Sequence, residues 1–334
     1  MPVSINDIAK KTGYTVATVS RALNESPLVR DKTKEKIKKA AHDMGYITNA
    51  IARGLVTDGL SLVGIIVPDI INPYYPLIVK TIQDTLKQKG YKVFLCNTDW
   101  KQETEYELIK MLFEHRVKGI IMDPLCDDTY KRIKSLGAKT PVVFFGNTTT
   151  DEDINYVIND SYKGVSIATE YLISLNHKKI VFMGAMKDTY INRGKLSGYK
   201  DVMESYFGPI DSSLIRKCED TRECGYAESN KLIDEKFIPT AIITGNDLIA
   251  LGVIECFKKS GYNIPGDLSV IGFDDIEYAG LPGISLTTIS EPRVDMGCKA
   301  AEILLSIINN TDGHIDRKVI LEPGLIKRST CSGI

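Results

Sequence analysis

Four side chains near the N-terminus carry the first chemistry legible in the chain: Ala17, Thr18, Ser20 and Arg21. Small, hydroxylic and basic groups on the early turns of a helix suit the base edges and thymine methyls of a DNA major groove. Any small helical hairpin could present the same face. A second set stands at the carboxyl ends of apolar runs: Asp69, Asp99 with Trp100, Asn147, Asp160, Asn246 with Asp247, and Asp274 with Asp275. In open α/β sheets ligands bind beyond those ends. Carboxylates and amides beside the flat faces of Tyr74 and Tyr75 suit a small polyhydroxy or heterocyclic molecule. Each of these residues also precedes a helical segment, and for any one taken singly capping is the commoner use.

Other chemistries find little support. His42, His115, His177 and His314 are far apart, and Cys218 with Cys224 is a pair lacking a second half, so no metal is expected. There is no Gly-x-Ser-x-Gly elbow and no phosphate-cradling Gly-rich loop, so neither a catalytic constellation nor a nucleotide cofactor is expected.

The outward face must be carried by two short helices. Ser4 and Asp7 form a capping-box variant ahead of Ile5, Ile8 and Ala9; Thr12-Gly13 breaks the first helix; Thr15 starts the second, whose inner face is Val19, Ala22 and Leu23. After a turn at Asn24-Glu25-Ser26-Pro27, Ile37, Ala40, Ala41 and Met44 mark a third amphipathic helix. Asn49 to Leu55 has helix-forming residues but no room for a core, so it needs an external partner to be ordered.

Residues 1–60 hold ten Lys/Arg against six Asp/Glu, a charge of +4, whereas the whole 334-residue chain is −1, leaving −5 on the rest. A basic head on an acidic body suits phosphate attraction at one end, although a solvated helical face also collects lysines. The seven scattered cysteines exclude a complete disulfide framework. No apolar run approaches the ~18 residues of a membrane helix, and the N-terminus lacks signal-peptide order. The expected location is the cytoplasm.

From Leu62 on, apolar runs alternate with amphipathic helical segments: Leu62 to Val67, Lys92 to Cys96, Gly119 to Met122, Pro141 to Phe145, Lys179 to Met183, Thr240 to Thr244 and Leu268 to Phe273. That pattern predicts parallel sheets covered on both faces, in two similar α/β lobes.

The run Ile5-x-Asp7-Ile8-Ala9, Val16 to Asn24, Gly45-Tyr46 and Asn49 to Leu55 resembles the headpiece of the lactose-repressor/galactose-repressor (LacI/GalR) family of bacterial transcription regulators. Val67-Pro68-Asp69-x-x-Asn72-Pro73-Tyr74-Tyr75, Arg193-x-Lys195-Leu196-x-Gly198-Tyr199, Asn246-Asp247 and Val270 to Asp275 are similar to its effector domain. The resemblance implies an all-α helix-turn-helix headpiece joined to an α/β domain of two doubly wound parallel-sheet lobes, like periplasmic sugar-binding proteins. Its expected bounds are 1–48 for the headpiece, 49–60 for a hinge helix and linker, and 61–334 for the effector and dimerisation domain. The first lobe would take about 61–160 and 291–320, the second about 161–290 and 321–330.

By the same resemblance, Ala17, Thr18 and Arg21 would read bases, Thr15 and Ser20 would touch phosphates, and Asn49, Ala52 and Leu55 would lie in the minor groove with Leu55 as a wedge. Asp69, Tyr74, Tyr75, Asp160, Arg193, Asn246 and Asp274 would hold the effector, with Arg193 as a two-pronged donor. The implied protein is a repressor, not an enzyme: a homodimer on a pseudo-palindromic operator, controlled by a sugar or related metabolite. A phosphorylated phosphocarrier protein is the alternative effector, and an α/β enzyme the remote one. Ile47-Thr48, Arg30, Asp220 and Glu291 depart from the family pattern, as does Gly146, which stands where the family commonly has Asp after the fourth strand.

Overall fold

The computed structural model describes residues 3–46, 61–137, 139–149, 153–310 and 316–334. The chain divides into two compact units, Met1–Leu60 and Ser61–Ile334.

In the first unit, Ser4 and Asp7 close a reciprocal capping box, with the Ser4 N–H donating to Asp7 Oδ2 at 2.9 Å, and start α1 (Ile5–Thr12). Gly13 ends it at φ 76°, a left-handed turn conformation that favours glycine. Thr15 Oγ1 accepts the Thr18 N–H at 3.2 Å and begins α2 (Val16–Leu23). Arg30 precedes α3 (Asp31–Asp43) without a side-chain cap. Ile8, Val19, Ala22 and Ile37 are wholly buried among the three helices, while Leu23, Met44 and Tyr46 pack at the edge. This leaves Thr15, Ala17 and Arg21 exposed and Thr18 and Ser20 partly so. The expected hinge residues Asn49, Ala52 and Leu55 lie outside the described residues.

The second unit holds two six-stranded sheets. β1 (Leu62–Val67), β2 (Lys92–Asn97), β3 (Gly119–Met122), β4 (Val142–Phe145), β5 (Asn155–Asn159) and β11 (Lys318–Leu321) form the first, wholly parallel, in the order β11-β5-β4-β3-β1-β2. β6 (Ile180–Ala185), β7 (Ile215–Cys218), β8 (Ala241–Thr244), β9 (Ser269–Asp274), β10 (Thr287–Ser290) and β12 (Gly324–Ile326) form the second, in the order β12-β10-β9-β8-β6-β7. Only the short β12 runs antiparallel to its neighbour. The inner strands are unbroken apolar runs because helices cover both faces.

The seven expected strands are all present, but five more complete the sheets. β7 (Ile-Arg-Lys-Cys) and β11 (Lys-Val-Ile-Leu) are short, and each carries lysine at a solvent-facing position. A half-wet four-residue strand has too little periodicity to stand out from a loop. The helices of the first lobe are α4 (Tyr74–Gln88), α5 (Gln102–Glu114), α6 (Thr129–Ser135) and α11 (Arg293–Ile308). Those of the second are α7 (Ser161–Ser174), α8 (Tyr190–Phe207), α9 (Arg222–Asp234) and α10 (Asp247–Lys259). The chain passes between lobes after β5, after β10 and between β11 and β12.

Helices α9 and α10 approach so closely that glycine is required on both. A Cβ on Gly252 would lie 2.0 Å from the Arg222 carbonyl oxygen, and one on Gly225 would lie 2.3 Å from that of Ile249. Backbone cannot swing aside as a side chain would. Gly252→Ala is therefore expected to lower stability by about 1–3 kcal/mol, towards the upper figure, in urea denaturation. An unchanged midpoint would show that the helices separate at no cost.

Candidate functional site

The carboxyl ends of both sheets face one cleft, with a cavity of about 100 Å³. The backbone at its rim is unusual: Asp99 and Trp100 after β2, Ala185 at the end of β6, and Asp274 at the end of β9 all have positive φ, at 52°, 59°, 54° and 113°. Non-glycine residues held in that region cluster at functional sites.

The first lobe contributes Tyr74 and Tyr75, edge to face with centroids 5.1 Å apart, together with Trp100, Asp123 and Asn147. The second contributes Lys187, Lys195, Asp220, Asn246 and Asp274, and Glu291 arrives from the crossing after β10. Tyr75 donates its hydroxyl to Asp123 Oδ2 at 2.8 Å. Asn246 both caps α10, accepting the Ile249 N–H at 2.9 Å, and donates Nδ2 to the Asp220 carbonyl at 3.2 Å. It therefore caps the helix and lines the cavity at once. Lys195 is buried: its Nζ donates to the Gly245 carbonyl at 2.8 Å and lies 4.0 Å from the Phe273 ring centroid.

Tyr74, Tyr75, Asn246 and Asp274 are therefore brought together, whereas three expected residues are not. Arg193 does not line this cavity: it pairs with Asp127 of the first lobe at 2.7 Å and Asp188 at 2.9 Å, and together with Asp160 it lines a second cavity of about 480 Å³. At 3.6 residues per turn, Arg193 and Lys195 point roughly 200° apart on α8. The buried face of that helix is Lys195, Gly198, Tyr199, Val202 and Met203, so the i, i+4, i+7 pattern marks Lys195 as the inward cation. Asp160 caps α7 by accepting the Lys163 N–H at 2.9 Å. Asp69 closes a local turn by accepting the Ile71 N–H at 2.9 Å. Two further strand-end acids are also structural. Asp247 takes hydrogen bonds from Thr288 Oγ1 and the Ile276 N–H at 2.6 and 2.8 Å, and Asp275 pairs with Arg328 at 2.7 Å.

Sequence reasoning missed Asp123, although it directly follows β3, much as Asp69 follows β1 after Pro68. Its space depends on Gly146, where a Cβ would come within 2.9 Å of Asp123 Oδ2. The carboxylate absent from position 146 is thus supplied from the neighbouring strand.

Four acids line this cleft against two lysines. Burial pushes all four carboxyl pKa values up, Asp123 to about 8, while Lys195 pulls those of Asp220, Asp274 and Glu291 back down. Asp123 therefore holds a proton in the folded state that it loses on unfolding. Its contribution to stability is fully present below about pH 4 and declines as pH rises to about 8. Asp123→Asn abolishes that slope: relative to wild type, the variant should be up to about 3 kcal/mol better off at about pH 7.5 than at about pH 5 in urea denaturation. Parallel pH profiles would refute the raised pKa.

Residues 4–49 match the family model described as bacterial regulatory proteins, lacI family, and residues 61–328 match that of periplasmic binding proteins and the sugar binding domain of the LacI family. The chain belongs to the LacI family. Catabolite control protein A of Priestia megaterium is 31% identical over 98% of both chains, and the HTH-type transcriptional repressor PurR of Vibrio atlanticus is 31% identical over 98% of both. The solved lac repressor dimer bound to operator and the anti-inducer ONPF has a TM-score of 0.85 at 26% identity, covering 99% of this chain and 100% of that one. This LacI-family chain is accordingly a transcriptional regulator with a DNA-binding helix-turn-helix head and an effector-binding body of two periplasmic-binding-protein-like lobes. Among the described residues no helix is long and apolar enough to cross a membrane.

Proposed function

We propose that this regulator is a cytoplasmic, non-enzymatic homodimeric repressor whose effector is an uncharged, hydroxyl-rich molecule of single-ring size. The observation that carries the effector class is the excess of acceptors in the cleft: Asp123, Asp220, Asp274 and Glu291 against Lys187 and Lys195. Hydroxyl groups donate to carboxyl oxygens in either protonation state, whereas a phosphate or carboxylate on the ligand would add anionic charge beside four buried acids that only two lysines offset. Tyr74, Tyr75 and Trp100 offer apolar faces to a ring. A cavity of about 100 Å³ favours one ring over two. Asn246, Asp274 and Glu291 are assigned to ligand hydroxyls, and Lys195 to an acceptor oxygen.

On the DNA side, Ala17, Thr18 and Arg21 are assigned to base edges and Thr15 and Ser20 to phosphates. Asn49, Ala52 and Leu55 are assigned to a minor-groove hinge helix. A two-fold dimer implies an approximately palindromic operator. The polar, well-lined cleft favours a small molecule over a protein corepressor.

Calorimetry with neutral pentoses and hexoses, disaccharides, sugar phosphates, acidic sugars and purines tests the effector class. Binding confined to neutral monosaccharides supports it; tight binding of a phosphorylated or acidic sugar overturns it. Mobility shift on the DNA upstream of the chain's own gene, with and without the bound compound, tests the control. A shift that responds only to added protein favours the corepressor.

A further inference from the structure

We propose that Cys218 and Cys224 form a reversible disulfide that clamps the Asp220 loop of the effector cleft. Cys218 closes β7 and is wholly buried, whereas Cys224 sits partly exposed in the first turn of α9; both are free thiols. The Cys224 sulfur folds back over the strand end, where it accepts the Glu219 N–H at 3.2 Å. That N–H belongs to the peptide group joining Cys218 to Glu219. The Cys224 N–H is itself held by Thr221 Oγ1 at 3.2 Å. Cys218 belongs to the buried apolar cluster of this lobe and Cys224 packs against that same cluster; burial, and after it the neighbouring Cys224, holds the Cys218 thiol well above the usual range.

Regular structure anchors both ends: Cys218 is in register with Ala185 of β6, and Cys224 belongs to a helix locked against α10 by Gly225. Between them, Asp220 lines the cleft and receives Asn246 Nδ2 on its carbonyl. Cross-linking residues 218 and 224 restricts the loop that presents this acid to the effector.

The oxidant class is a peroxide. The more accessible Cys224 sulfur attacks one oxygen of hydrogen peroxide, the O–O bond breaks, and the products are a sulfenic acid and water. The Cys218 sulfur then attacks the Cys224 sulfur; the S–O bond breaks, and the hydroxyl leaves as water with the Cys218 proton. Two thiols are oxidised and one peroxide is reduced to two waters. A dithiol reductant reverses the link by exchange.

The full-length protein reports the bond directly. Lys217 and Arg222 put Cys218 and Cys224 on different tryptic peptides, so the disulfide appears as a cross-linked pair in mass spectrometry. After stoichiometric hydrogen peroxide and alkylation, the 218–222 peptide should be found joined to 223–231 and freed by dithiothreitol. Amide hydrogen exchange over 219–224 should slow on oxidation and recover on reduction. Cys218→Ser should leave a Cys224 sulfenic acid that dimedone traps. Oxidation of Cys224 to a sulfinic acid without cross-linking, full alkylation of Cys218 after peroxide, or a link without slower exchange would each overturn the proposal.

Discussion

Lys195→Met is expected to abolish effector binding and to lower stability by roughly 3–5 kcal/mol near neutral pH, the range for removing one partner from a buried charge cluster. The methionine keeps the stem that packs beside Phe273, so the loss falls on the charge and on the hydrogen bond to the Gly245 carbonyl. Lys195 is the countercharge to three buried acids, Asp220, Asp274 and Glu291. Without it each of these carboxyls moves further up, since burial already favours the neutral form. The defect should therefore shrink as the pH is lowered and the acids take up protons. Urea denaturation across the acid to neutral range, beside calorimetry with the neutral sugar that binds wild type, measures both effects. A pH-independent loss of stability would mean that Lys195 acts through packing alone.

Arg193→Ala gives the contrasting result. Its ion pairs with Asp127 and Asp188 are part-exposed, a class worth about 0–1 kcal/mol, and it touches no cleft carboxylate. The sequence resemblance gave Arg193 the two-pronged contact with the effector and gave Lys195 no role. It matched a motif in which both stand two residues apart, and a motif carries no direction in space. The direction was present in the chain, in the i, i+4, i+7 spacing that puts Lys195 on one helix face with Tyr199 and Val202.

The same distinction separates what was legible in the fold from what was not. Continuous apolar strands such as Leu62–Val67 and Ala241–Thr244 announced themselves because burial on both faces leaves no room for polar residues. The edge strands β7 and β11 face water on one side, and their alternation is too brief to read. Among strand-end acids, identity at one position fails for a related reason. Asp69, Asp160, Asp274 and Asp123 are chemically alike in the sequence. Only the geometry shows that the first two accept local backbone N–H groups while the last two face the cleft. Gly146 and Asp123 show the limit most sharply, because one strand's missing carboxylate is replaced by its neighbour's across the sheet.

Leu55→Ala should weaken binding to the specific operator by a few kcal/mol, on the order of 100-fold in Kd, while leaving non-specific DNA binding nearly intact. The family resemblance puts Leu55, which lies outside the described residues, at the wedge position of the hinge. An inserted leucine unstacks a base step at a cost of a few kcal/mol, which the closer wrap of a bent duplex offsets. Alanine is too short to hold the step open, so the bend and the contacts it permits are lost together. Phosphate contacts from the basic head persist, and with them the salt dependence of non-specific binding. If that resemblance holds, a segment as short as 49–55 is marginal as an isolated helix, and its order would have to come from a partner such as the operator. Effector binding shifts that order only by its differential affinity for the two lobe arrangements. Leu55→Ala should therefore retain wild-type effector affinity in the absence of DNA. Mobility shifts on operator and scrambled duplexes, with calorimetry on the free protein, separate these terms; an equal loss on both duplexes would place Leu55 among general backbone contacts instead.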